Sequence, residues 1–192
     1  MTPEKHIYNG LRPGEEMIWT GAPFGAKEHC DIDRFLIPVS CVFLALCTFL
    51  SVCLIFSISR SGFHLHHLPE TLALLAADAA AVYAYFLRFL VKRNRKADLA
   101  YGITSHGRVL ISDNSVLKTF DYECAALEKA FISEMDDYGV GTIYLTEKTW
   151  RNLFDNTGLE LPFLPGGRYS ALYDLLDCEK VLQMITDKRR NS

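Results

Sequence analysis

A chain of 192 residues with a formal net charge of −3 has room for one modest domain and a few added elements, which excludes several large domains. Residues 97–192 hold 15 of the 23 acidic side chains but only 10 of the 20 basic ones, the reverse of what a nucleic-acid binder carries on its folded domain. Apolar residues crowd between positions 35 and 91 while charge collects on either side, so the chain reads as a mosaic.

Residues 1–34 form a polar N-terminal segment. His29, Cys30, Asp31 and Asp33 place potential ligands close together there, but without a metal-binding spacing, which suits a solvated stretch beside a membrane. Phe35–Ile58 follows as 24 residues without a charge; as a helix it is about 36 Å long, enough to span a hydrocarbon core of about 30 Å with some tilt. Pro38 lies near its beginning, where a missing donor is best tolerated. Cys41, Cys47 and Cys53 recur every six residues, which scatters them around a helix, and no Cys-x-x-Cys occurs; they read as small apolar side chains in lipid or at a helix contact.

The loop of residues 59–70 contains His64-Leu65-His66-His67, whose imidazoles could gather protons or a metal, although Glu70 is the one nearby acidic partner. A second apolar run, Thr71–Val91, is also long enough to span, with Asp78 near its middle, where a carboxylate costs a few kcal/mol on insertion scales. Ala73, Ala77 and Ala81, beside Ala76, Ala80 and Ala84, make small-residue stripes at four-residue spacing that favour close helix packing. Asp78, neutralised or hydrogen-bonded to Thr48 or Ser51, is expected to stabilise the hairpin or an oligomer. Arg34 flanks the first run, and Arg88, Lys92, Arg93, Arg95 and Lys96 end the second, against Arg60 alone in the loop. This asymmetry predicts that both termini face the cytoplasm. Lys92, Arg93, Arg95 and Lys96 are candidates for lipid headgroup contacts.

After Lys96, short β-branched and aromatic segments separated by turn residues predict strands over Leu99–Thr104, Arg108–Ser112, Val116–Tyr122, Ala130–Met135 and Thr142–Thr146. Residues 147–170 show no regular pattern. Asp177 is placed to cap a helix running to Lys188, with Val181, Leu182 and Ile185 on its apolar face.

LRPGEEMIWTGAP (Leu11–Pro23) ahead of the apolar hairpin, YGITSHGRVLIS (Tyr101–Ser112) just after it and GTIYL (Gly141–Leu145) later occur in an order that resembles bacterial membrane proteins with a pleckstrin-homology-like domain. The resemblance implies an α+β membrane protein of the bacterial inner membrane. A two-helix transmembrane hairpin (residues 35–91) would precede a small PH-like β-barrel of about seven strands (residues 97–192), capped by a C-terminal helix. It implies no common reaction and no cofactor, and gives the motif residues folding roles: Gly14 and Gly21 at turns, Trp19 as an aromatic anchor, Thr104 and Gly107 in the first hairpin.

No Gly-rich phosphate loop, nucleophile elbow, His-Glu-x-x-His or paired catalytic carboxylate motif occurs, so enzyme chemistry has no positive sign in the sequence. The expectation is a membrane-tethered, non-enzymatic interaction module that binds a protein or a second copy of itself, with the lipid bilayer and no nucleic acid as its other contacts. The competing expectations are an oligomeric transport component using Asp78 and an anionic-lipid-binding module.

Overall fold

The computed structural model describes residues 3–25, 29–62, 64–65, 67–114, 118–133, 135–147, 156–159 and 170–190. They divide into two compact units: Asp31–Leu90 by itself, and Met1–Cys30 together with Val91–Ser192.

The first of these is an antiparallel helical hairpin. Helix α2 (Asp33–Ser61) extends beyond both ends of the uncharged run, so Pro38 falls within its second turn. Its partner runs from His67 to Asp98 as α3 (His67–Val82), a single π-helical turn (Tyr83–Leu87) and α4 (Arg88–Asp98). Both helices are long and apolar enough to cross a membrane. On α2, Asp33, Leu36, Ser40 and Cys47 are buried, with Leu44, Ser51 and Leu54 half-buried on the same three-and-four spacing. Phe35, Val42, Phe49 and Phe56, seven residues apart, are all more than half exposed. Cys47 accordingly lies in the inner face, whereas Cys41 and Cys53 lie outside it.

In the other unit, the N-terminal segment contributes two elements that its sequence did not announce: helix α1 (Pro3–Asn9) and strand β1 (Met17–Gly21). Strand β1 pairs antiparallel with β2 (Leu99–Thr104), which continues through β3 (Arg108–Asp113) to β4 (Lys118–Glu123). A second antiparallel sheet contains β5 (Phe131–Ser133), β6 (Gly141–Tyr144) and β7 (Ala171–Leu175). Helix α5 (Cys178–Arg190) ends the domain. The expected barrel is not closed. The 3-10 turn Cys124–Ala126 takes the chain out of the first sheet after β4, and the strands fall into sheets of four and three with no ladder between them among the described residues. The architecture is α+β.

Side-chain alternation explains how both faces of the first sheet are covered. Tyr101, Ile103, Val109 and Ile111 enter a core shared with Ile143, Leu172 and Leu175 of the second sheet and Val181 and Ile185 of α5. Ala100 and Leu110 point the other way, onto Ile7 of α1. Gly102 permits that approach: a Cβ there would stand 2.7 Å from Met17 Sδ and 3.0 Å from Ile7. Gly21 has a similar role rather than the expected turn, since a Cβ would meet the Trp19 ring at 2.5 Å. That ring packs against the main core.

Candidate functional site

Two of the resemblance motifs meet at a buried ion pair. Gly14 adopts φ +79°, a left-handed conformation that favours glycine, and turns the chain so that the Glu15 amide donates to the Arg12 carbonyl. The Glu15 carboxylate is thereby placed to accept from the Arg12 amide (2.8 Å), the Thr104 hydroxyl and Arg108 Nη1 (2.7 Å). Arg108 Nη2 reaches Asp121 at 2.7 Å. Around the β2–β3 turn, the Glu16 amide donates to Ser105 Oγ and the Ser105 amide to the Glu16 carbonyl. Burial opposes the charged form of Glu15, but the Arg12 amide, Thr104 and Arg108 outweigh it and hold the carboxyl below its usual range. Both Glu15 carboxylate oxygens and both terminal nitrogens of Arg108 are engaged by other protein groups, so the arrangement is a clasp between the N-terminal segment and the first hairpin, consistent with folding roles for Thr104 and Gly107.

A second polar cluster in the same unit gathers around β7. Asp174 of β7 is fully buried and receives Lys96 Nζ at 2.6 Å and Asn156 Nδ2 at 2.7 Å on one carboxylate oxygen. Its carbonyl accepts the Phe24 amide at 2.7 Å. Both Asp174 (φ +49°) and Asn156 (φ +59°) are left-handed non-glycine residues. Tyr101 lies beside them with its hydroxyl accepting the Tyr173 amide at 3.1 Å; burial and nearby carboxylates push its ionisation upward, which keeps it a neutral hydrogen-bonding group. The basic collar is therefore divided: Lys92 and Lys96 are buried, Arg93 is exposed and Arg95 half-buried. Lys96 is engaged by a carboxylate rather than presented to a headgroup.

Within the hairpin, Ser51 donates to Asp78 at 2.6 Å, while Thr48 donates to the Leu44 carbonyl instead. Asp33 and Arg88, both buried, form an ion pair at the open end of the hairpin. Spacing could not have found this pair, whose members stand 55 residues apart. The alanine stripe is not uniform: Ala81 is buried, Ala77 half-buried and Ala73 exposed. His64 Nε2 lies 3.0 Å from the Ser61 carbonyl and His67 Nδ1 lies 3.5 Å from Glu70; His66 lies outside the described residues. No group of three His, Cys, Asp or Glu side chains converges among the described residues. Cys124 is buried, which pushes its thiol up to about 11 and removes nucleophilic character at neutral pH.

Compared with known proteins, the chain matches no family model, no curated protein and no solved structure.

Proposed function

We propose that this chain is a membrane-tethered, non-enzymatic interaction module: a PH-like domain on the cytoplasmic side of a bacterial inner membrane, held there by two spanning helices, that binds a protein partner or a second copy of itself. The observation carrying the tether is topological. β1 and β2 are antiparallel neighbours, with Gly21 opposite Tyr101, so the chain leaves the sheet and returns to it at the same end of one ladder. A membrane segment inserted at that point must cross an even number of times. Two helices of sufficient length, with an ion pair joining Asp33 to Arg88 at their open end, meet that requirement.

The PH-like reading is supported by the sheets of four and three strands among the described residues, by helix α5 following β7, and by the clasp that joins two of the motifs carrying the resemblance. Satisfaction of Asp78 by Ser51 inside one hairpin favours a packing role for that carboxylate over a transport path. The acidic balance of the β domain suits a protein partner better than an anionic lipid surface.

The test is in-cell photocrosslinking from the β-domain surface, with the probe at Tyr138, which is 87% exposed at the β5–β6 turn. The proposal expects a discrete adduct with one protein or with a second copy of the chain. Capture of lipid alone would sink it.

A further inference from the structure

The described residues of the β domain's unit leave seven large apolar side chains exposed, and three of them gather at one end of the second sheet. These are Met135 (49% exposed), Tyr138 (87%) and Leu176 (53%). Gly141, the first residue of β6, marks that end. It pairs with Leu175, the chain neighbour of Leu176, and the Met135 Cα lies 3.3 Å from where a Gly141 Cβ would stand. Tyr138 belongs to the turn that leads into Gly141. Single exposed apolar residues are ordinary on a folded surface, whereas several large ones together mark an interaction surface.

Both connections that carry these side chains are fixed by their backbone. In the β5–β6 turn, Asp136 Oδ1 accepts the Tyr138 amide at 3.0 Å and the Val140 amide at 2.9 Å. The Asp136 amide donates to the Val140 carbonyl, and the amide of Gly139, at φ +75°, donates to the Asp136 carbonyl. Between β7 and α5 the whole connection is Leu176 and Asp177; Asp177 lies at φ +55°, and its carbonyl accepts the Lys180 and Val181 amides. A tyrosine held out on a closed turn has little conformational freedom left to lose when it is covered, which is what an interface anchor requires.

Charge around the patch selects its occupant. Asp136, Asp137, Asp177 and Glu179 flank the three apolar residues in sequence, against one cation, Lys180, which lies 3.3 Å from Asp177. Asp137, Asp177 and Glu179 are exposed. Such a rim repels an anionic lipid surface, and it repels a second copy of the same acidic domain. It attracts lysine and arginine.

We propose that the end of the second sheet formed by Met135, Tyr138 and Leu176 is the docking surface of the β domain, and that its occupant is a segment of another protein combining apolar side chains with lysine or arginine. The apolar side chains cover Tyr138 and Leu176 while the cations meet Asp137 and Glu179. This inference rests on the reading of the chain as a protein-binding module and specifies its surface and the chemistry of its partner.

The test places a benzophenone amino acid at position 138 or 176 of the full-length chain and, as a control face, at position 18 of β1, where Ile18 is also exposed. After photocrosslinking in cells, the captured peptide is sequenced by mass spectrometry. Positions 138 and 176 are expected to capture the same segment of another protein, with net positive charge and apolar residues, and position 18 is not. Asp137→Lys combined with Glu179→Lys should lower the adduct yield from position 138 by at least about tenfold, because the reversed charges face the partner's cations. The unfolding midpoint of that variant should stay within about 2 °C of the wild type. If the reversal unfolds the domain, Asp137→Asn with Glu179→Gln takes its place and should lower the yield about threefold. A captured segment that is acidic or uncharged, capture of a second copy of the chain, equal capture from position 18, or a yield indifferent to these substitutions would overturn the docking surface and leave the protein-binding reading standing. Capture of lipid alone from all three positions, or no capture from any, would remove both.

Discussion

Replacing Arg108 by methionine is the sharpest probe of the clasp. Arg108 and Glu15 are nearly inaccessible to solvent, and the guanidinium also engages Asp121. Methionine fills most of the volume but leaves the Glu15 carboxylate buried with only the Arg12 amide and the Thr104 hydroxyl among its described donors. Removing one partner of a buried pair costs about 3–5 kcal/mol, because the remaining charge keeps its desolvation penalty. For a chain of this length that lowers the unfolding midpoint by on the order of 10 °C. The assay is thermal unfolding of the full chain in detergent, followed by intrinsic fluorescence. Adding Glu15→Gln to Arg108→Met removes the stranded charge and should restore part of the loss, giving a coupling energy of at least about 1 kcal/mol. Additive losses, or a midpoint for Arg108→Met within about 2 °C of the wild type, would refute the view that these motif residues hold the N-terminal segment to the sheet.

The lowered pKa of Glu15 sets a pH signature. Its stabilising contribution is complete above the ordinary carboxylate value of 4.5 and is lost as pH falls through the lower folded value, so the wild type should lose stability in that acid range more steeply than Glu15→Gln. Unfolding midpoints measured from about pH 6 down to pH 3 check this; parallel profiles would contradict it. Gly21→Val should displace the Trp19 ring and cost about 1–3 kcal/mol, visible as a changed tryptophan emission maximum. Ser51→Ala should weaken hairpin packing by only about 0.6 kcal/mol, so the protein should remain assembled in steric-trapping or native-gel assays; complete loss of folded protein would mean that Asp78 depends on this hydroxyl far more than a membrane hydrogen bond normally allows.

Local patterns made much of the β domain legible. Leu99–Thr104 is a strand over the same residues that its β-branched and aromatic content marked, and β3, β5 and β6 lie within a residue or two of expectation, as does the described part of β4. α5 likewise presents Val181 and Ile185 to the core as its spacing requires. Other elements were not legible, for physical reasons. β1 has five residues between glycine- and proline-containing turns, and its pairing partner lies beyond the entire hairpin. β7 follows a stretch whose sequence has no regular hydrophobic pattern, and it contains a left-handed aspartate, which disguises its strand character. α1 has too little length to show periodicity and is specified by Ile7 docking onto the sheet.

The candidate sites divide in the same way. A polar residue in an apolar run is conspicuous, so Asp78 and a serine partner could be anticipated from the sequence. The charged residues at the ends of the hairpin could be seen, but their partners could not: Asp33 with Arg88 and Asp174 with Lys96 arise only when the chain folds back on itself. Reading Lys92 and Lys96 as a surface collar followed from their charge. Both are buried, four residues apart on one helical face, and Lys96 meets Asp174 of β7.

The tether is tested most directly by accessibility from outside the cell. Native Cys30 and Cys124 are buried and serve poorly as reporters, so single cysteines are introduced at Leu65, 83% exposed between the two long helices, and at Tyr138, 87% exposed on the β domain. A membrane-impermeant maleimide applied to intact spheroplasts should label Leu65→Cys at once and Tyr138→Cys only after permeabilisation. Labelling of Tyr138→Cys in intact spheroplasts, or of neither site until permeabilisation, would contradict a cytoplasmic domain carried by a hairpin that crosses the membrane twice.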